Sequence, residues 1–377
     1  LTRQYLNKNH AYRHKLINPA RKALLNTHLD NSIPHTSAVA WRSFAPMVGN
    51  NNITLINTSG CSGNGTCHIF MDSLQAHSYL WTYMAGGGTD TSCANPVMTS
   101  SHCINLDLNT VFMQLYGSYF VEWAKGGITG TTNHLLRAPL ANAGMPLATC
   151  WTGGSPRWYF HHMGLGESIG FSTMQSKNNT VIYDPGNNQL LGGVHMALMG
   201  DPSLRLHMVY PVTQLTATQT ETMIQLSWTA STDTAIIGYN VYQADSLSGI
   251  FQKLNASILA STSYTDSMPS LLPGNTYMVR AIKSEVTPSG SYLNMSEGIL
   301  ISKPLVTTFT FTGNGMWSSS GHWINNLKPP TTLPAGFTII IDPVEGGECV
   351  LDIPQHLATG SNITIVTGKT FRLSEDL

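Results

Sequence analysis

Residues 77–93 read HSYLWTYMAGGGTDTSC. The run from His77 to Met84 is aromatic and apolar and predicts a buried strand. It leads into Gly86, Gly87 and Gly88 and then a small polar turn. A glycine triplet after a strand marks a place where backbone closely approaches something else. Its N–H groups form an anion-binding nest, and Asp90 with neighbouring carbonyls is a candidate holder of a structural calcium ion. The rival reading is a tight turn without a ligand. No other cofactor is expected.

The flanking segments set the fold class. LTRQYLNKNHAYRHKL (1–16) and NPARKALLNTHL (18–29) read as short basic amphipathic helices. NTVFMQLYGSYF (109–120) reads as a strand, and SPRWYFHHMGLGESIGFSTMQ (155–175) as a helix weakened by its glycines. GGVHMALMGDPSLRLHMVYP (192–211) gives a helix or strand, a Gly200-Asp201-Pro202 turn and a terminal strand. Strands alternating with helices over residues 1–210 predict an α/β domain with a parallel or mixed sheet.

Residues 211–303 change character. Short alternating strands such as QLSWTAS, IIGYNVYQA and TYMVRAIK recur every 8–12 residues or so, which predicts an all-β sandwich. With Trp228 in LSWTAS and Tyr239 and Tyr242 in GYNVYQA as core, this segment resembles a fibronectin type III domain of the immunoglobulin-like class. Residues 304–377 form a small β-rich module in which FTIIID and NITIVTG predict solenoid-like stacking, one strand per turn. One or two turns cannot bury a solenoid core. The module is therefore expected to pack on the preceding domain, or the natural chain to continue past Leu377.

Composition narrows the function. Hydrophobic residues make up 42% of the 377 and charged residues only 10%, with a net charge of -1. That balance excludes electrostatic capture of nucleic acid. No apolar run reaches the roughly 18 residues of a spanning helix, so no membrane span is expected. Polarity comes from Ser, Thr, Asn and Gly, as suits an extracellular or cell-surface protein. Cys61 and Cys67 bracket one Gly-rich loop, and Cys93 and Cys103 another. Both pairs are disulfide candidates in an oxidising compartment, against the alternative of free buried thiols.

Other residues carry weaker signals. His161 and His162 with Glu167 look metal-like, but adjacent histidines point to different helix faces, and the spacing to Glu167 is wrong for one face. Cys150 in LATCWTGG is a candidate for a Cys–His dyad or a small buried hydrophobe.

Taken in order, YLWTYMAGGGTDTS, VFMQLYGSYF, LATCWTG, FHHMGLGESIGFS and above all MALMGDPSLRLHMVYP resemble the later part of gingipain-type cysteine peptidases. These are caspase-like bacterial enzymes whose domain ends in GDP(S/T)LR before a β-sandwich. The resemblance covers residues 1–210 and implies an α/β caspase-like domain whose first strands precede Leu1. It also implies a catalytic His in a strand-end GHG and a catalytic Cys after the next strand. Here GGGTDTSC puts Gly87 at the histidine's position, and QLYGSYF puts Leu115 or Tyr116 at the nucleophile's. A Cys–His mechanism needs a base to form the thiolate and a thiolate to attack.

The chain is therefore expected to be a secreted, bacterial pseudo-peptidase with a structural, adhesive or surface-layer role. Its expected partners are protein or polysaccharide at the cell surface, or copies of itself. The alternative is an active cysteine endopeptidase using displaced groups: Cys93, Cys150 or Ser118 as nucleophile, His77 or His102 as base. A further alternative is carbohydrate binding through Trp41, Trp81, Trp151, Trp158, Trp317 and Trp323.

Overall fold

A computed structural model describes residues 2–29, 36–59, 61, 66–94, 97–120, 134–152, 158–178, 196–271 and 274–375. The chain divides into two compact units, Leu1–Tyr210 with Lys283–Ser296, and Pro211–Ile282 with Glu297–Leu377.

The first unit is built on strands β1 (Ala23–Asn26), β2 (Ile53–Ile56), β3 (Tyr79–Ala85), the short β4 (Gly88–Thr89), β5 (Ser92–Cys93) and β6 (Met98–Thr99), then β7 (Thr110–Tyr116), β8 (Ala148–Thr152) and β9 (Met196–Gly200). Six of them form one mixed sheet in the order β2-β1-β3-β7-β8-β9. All neighbours run parallel except β9, which lies antiparallel to β8. β4, β5 and β6 make a separate three-stranded sheet just beyond the end of β3.

Helices α1 (Thr2–Arg13), α2 (Thr36–Val48), α3 (Ile69–Ala76), α4 (Ser100–Asn105), α5 (Ala138–Ala141) and α6 (Ile169–Lys177) accompany the sheet. The central strands are buried on both faces, which explains why they read as continuous apolar runs. Trp81, Tyr83, Ala85, Phe112 and Cys150 pack with Phe44 and Met47 of α2. Met84, Met113, Leu115 and Trp151 pack with Phe70 and Leu74 of α3. Trp81 stacks on Phe112 at 4.9 Å and meets Phe160 at 4.3 Å, while Trp158 stacks on Phe160.

Three sequence expectations are corrected here. NPARKALLNTHL is a strand, not a helix, because Ala23–Asn26 sits buried inside the sheet between β2 and β3. That placement outweighs local helix propensity. SPRWYFHHMGLGESIGFSTMQ is not one helix. A 3-10 turn (His161–Leu165) ends at Gly166 with φ +92, and α6 restarts behind Ser168, whose Oγ accepts the N–H of Phe171 at 3.2 Å. After the Gly-Asp-Pro turn the chain runs extended, with a single bridge from Arg205 to Ser168, rather than forming a strand.

That Gly-Asp-Pro turn has a structural task. Asp201 Oδ2 accepts from Asn9 Nδ2 at 2.7 Å and from Arg13 at 2.6 Å, tying the turn to α1. Asp201 Oδ1 accepts from the backbone N–H and hydroxyl of Ser203. Burial by itself would raise the Asp201 carboxyl, but the bonds from Ser203, Arg13 and Asn9 outweigh it and hold the group well below the usual carboxylate range.

A sandwich follows, of strands β10 (Thr213–Thr220), β11 (Met223–Thr229), β12 (Ile236–Ala244), β13 (Gln252–Lys253), β14 (Ser263–Asp266), β15 (Thr276–Thr287), β16 (Gly290–Met295) and β17 (Ile299–Ser302). One sheet runs β10-β11-β14 and the other β13-β12-β15-β16, with β17 also paired to β15. The hairpin end of β15 with β16 groups with the first unit. Trp228 and Tyr239 meet edge to face at 5.5 Å in the sandwich core.

Strands β18 (Thr308–Phe311), β19 (Gly315–Met316), β20 (Thr332–Leu333), β21 (Thr338–Ile341), β22 (Glu348–Leu351), β23 (His356–Leu357), β24 (Asn362–Ile365) and β25 (Thr370–Leu373) complete the chain. They stack in parallel as three sheets, β18-β21-β24, β19-β22-β25 and β20-β23. Successive strands of the chain enter the three sheets in turn, as in a solenoid. Its core holds Phe309, Phe311, Ile339, Ile341 and Cys349, with Trp317 and Trp323 edge to face at 4.8 Å.

Candidate active site

The parallel register pairs Met84 with Leu115 and Ala85 with Tyr116, and Gly86 N–H donates to Tyr116 O at 3.0 Å. The glycine turn and Tyr116 therefore lie at adjacent C-terminal strand ends. Leu29, Gly86, Gly87, Tyr116, Gly117, Ser118 and Trp151 line a cleft of about 300 Å³ there. Tyr116 faces the cleft, whereas Leu115 is fully buried in the core.

Each glycine of the turn has its own reason. A Cβ on Gly86 would overlap Ala94, and one on Gly88 would overlap the Phe120 ring. A Cβ on Gly117 would overlap the carbonyl oxygen of Gly86 and the same ring. Gly87 differs: it is exposed, and an added Cβ would meet nothing within 4 Å. The turn is braced by Ala94 N–H donating to Gly87 O at 2.9 Å, by the pairing of Gly88 with Cys93, and by Trp151 Nε1 donating to Gly117 O at 2.7 Å.

The displaced candidates are not assembled. Burial pushes the Cys93 thiol well above its ordinary value, with Cys103 adding to the shift, and pushes Cys103 itself up to about 12. Cys150 is fully buried within β8, raised by burial, and its Sγ donates to Met113 O at 3.4 Å. A nucleophilic cysteine requires the opposite shift. Ser118 reaches the cleft and is exposed.

His77 precedes β3, a seven-residue strand, and so sits roughly 20 Å from Gly87 at the opposite end of that strand. His102 lies in α4, where its N–H is capped by Thr99 Oγ1 at 3.1 Å, and is not among the cleft residues. The histidine that the topology does carry to the cleft side is His28, just past β1 and beside Leu29. Sequence reasoning missed it because NPARKALLNTHL read as a helix. Its Nδ1 is engaged by Thr58 O at 2.9 Å and Thr58 Oγ1 at 3.0 Å.

The remaining candidates resolve as structure. Cys61 and Cys67 form a disulfide. Cys93 and Cys103 do not; they are free thiols packed as small apolar groups in one core cluster beneath the glycine turn. Asp90 is half-buried between β4 and β5, and its carbonyl accepts Leu135 N–H at 2.8 Å. No group of three or more His, Cys, Asp or Glu able to hold a metal ion occurs among the described residues. His161 and His162 stack on each other at 4.1 Å, with His162 Nδ1 against Tyr159 O at 3.0 Å. Trp81, Trp151, Trp158, Trp317 and Trp323 are buried, and Trp41 is partly buried, so none offers a broad open face for a sugar ring.

No protein-family model matches the sequence. No curated protein matches it. Solved structures do. In structure the chain is similar to gingipain R. The match to that Arg-specific cysteine proteinase has 11% identity over 78% of this chain and 71% of that one, with a TM-score of 0.48. The complex of pro- and mature domains from Porphyromonas gingivalis gives 11% identity, 78% and 72% coverage and the same TM-score. A fibronectin type III-like protein from Clostridium thermocellum matches 26% of this chain and 98% of its own at 21% identity, with a TM-score of 0.20. At these identities the likeness concerns the backbone and gives no residue a role.

Proposed function

We propose that this protein is a pseudo-peptidase: a gingipain-like α/β frame that has lost its catalytic pair and serves a structural or adhesive role outside the cell. One observation carries the reading. Gly87, two residues past β3, and Tyr116, the last residue of β7, both line the cleft, and the described residues lining it include neither a thiol nor an imidazole. A glycine transfers no proton, and a phenol ordinarily titrates near pH 10, a poor nucleophile at neutral pH; burial raises Tyr116 further. The Cys61–Cys67 disulfide supports an oxidising compartment. No helix among the described residues is long and apolar enough to cross a membrane. The partner on this reading is protein or polysaccharide at the cell surface.

The test is peptide hydrolysis with and without a thiol-alkylating reagent, followed by mass spectrometry of the cysteines. We expect no thiol-dependent hydrolysis and no labelling of the folded protein, because Cys93, Cys103, Cys150 and Cys349 are all buried. Stoichiometric labelling of one cysteine with loss of hydrolysis would overturn the proposal.

A further inference from the structure

The loop that joins α1 to β1 is basic, and it borders a cavity of about 30 Å³ within the first unit. Lys15, Asn18 and Arg21 line the cavity from that loop, Tyr12 from α1, and His207 from the extended segment after the Gly-Asp-Pro turn. A water needs only about 10–15 Å³ by the same measure, so the space suits one or two waters or a single ion of halide size. Lys15 stands at φ +59, in a left-handed helix-end position that ordinarily takes glycine. The reversal is closed by Lys15 N–H donating to Tyr12 O at 2.9 Å and Leu16 N–H to Ala11 O at 2.7 Å. The Lys15 ammonium lies over the Tyr210 ring, 5.0 Å from its centroid.

Charge around the cavity is unbalanced. Arg21, Lys283 and Lys15 act on His207 against a single carboxylate, Glu285. Both oxygens of that carboxylate are engaged. Arg21 reaches Oε1 at 2.7 Å, while Lys283 and Asn294 Nδ2 each lie 3.4 Å from Oε2. Glu285 is not among the residues that line the cavity. His207 is 5% exposed; its carbonyl accepts from Asn294 Nδ2 at 3.1 Å, but its ring Nε2 is buried with no hydrogen-bond partner. Buried polar atoms are rarely left so, because the lost hydration is not repaid. Burial, with Arg21, Lys283 and Lys15, outweighs Glu285 and holds the imidazole neutral, pushed down to about 3. A water in the cavity adds no charge. An anion there balances the cations and gives a protonated ring its counter-ion.

We infer that this cavity is a binding site for one small inorganic anion of halide size, held between Lys15, Arg21 and His207. The anion favours the protonated imidazole, and the proton favours the anion by the same factor. Anion affinity therefore rises as pH falls toward the range in which His207 titrates. The inference does not depend on whether the cleft is catalytic.

Chloride is the probe, with gluconate, too large for the cavity, holding ionic strength constant. Histidine NMR of the full chain in about 100 mM of either salt should show His207 titrating about one pH unit higher in chloride. Chloride NMR at about pH 5 should show saturable line broadening that Lys15→Met reduces about fivefold or more. Lys177→Met, which removes an exposed charge at the end of α6, should leave the broadening unchanged. A His207 titration that is the same in both salts overturns the inference and leaves the cavity to water. So does broadening that is absent, or that is the same in Lys15→Met as in wild type.

Discussion

Gly117→Ala is expected to destabilise the first unit by about 4 kcal/mol, enough to threaten folding of a marginally stable domain. Gly117 follows β7 with φ +155, and a methyl group there would enter the space of the Gly86 carbonyl and the Phe120 ring. The neighbours have little freedom to retreat. Phe120 is fully buried, and the Gly86 backbone is tied to Tyr116. Relief would have to come from separating the ends of β3 and β7. Gly87→Ala, one turn away, should lie within about 0.5 kcal/mol of wild type, because its Cβ would project into open space. Urea unfolding of the two variants side by side checks the contrast. Equal losses would show that the turn is held by something other than these overlaps. The same opening at Gly87 leaves room for a larger side chain.

Asp201→Ala should cost about 3 kcal/mol. Four donors converge on its carboxylate, from Asn9, Arg13 and both the amide and hydroxyl of Ser203. Truncation leaves these groups to find water or other partners around a site only about a quarter exposed. It also releases α1 from the turn that closes the sheet. The effect is tied to pH. Asp201 titrates lower in the folded chain than in the unfolded one, so the unfolded state takes up its proton first as pH falls. The contribution is complete above the ordinary carboxylate value, near pH 4, and is lost as pH drops through the lower folded value. Chemical unfolding at pH 7 and at about pH 3 should show the gap between wild type and Asp201→Asn narrowing in acid. A gap that does not change would mean that the carboxylate's charge contributes little.

Several features were legible in the residues themselves. The β3 and β7 runs announced strands because both faces of a central parallel strand are buried, which makes every position apolar. The alternating pattern of QLSWTAS announced a sandwich strand because that strand buries one face only. The glycine triplet announced a close backbone approach, and Gly86 and Gly88 are crowded there. Gly200-Asp201-Pro202 announced a turn through local chemistry alone.

Tertiary structure decided the rest. Ala23–Asn26 is a strand because two neighbours claim its backbone, a fact absent from NPARKALLNTHL. Cys93 and Cys103 look like a loop disulfide in sequence, yet each is held as a buried apolar group by its own packing. His77 looked close to the glycine turn along the chain, but the length of β3 carries it to the far end of the strand, while His28 arrives at the cleft side from another strand. Proximity along a chain measures distance only within a turn or a hairpin. Across a sheet, strand order and direction set which residues meet, and these depend on the burial of the whole unit.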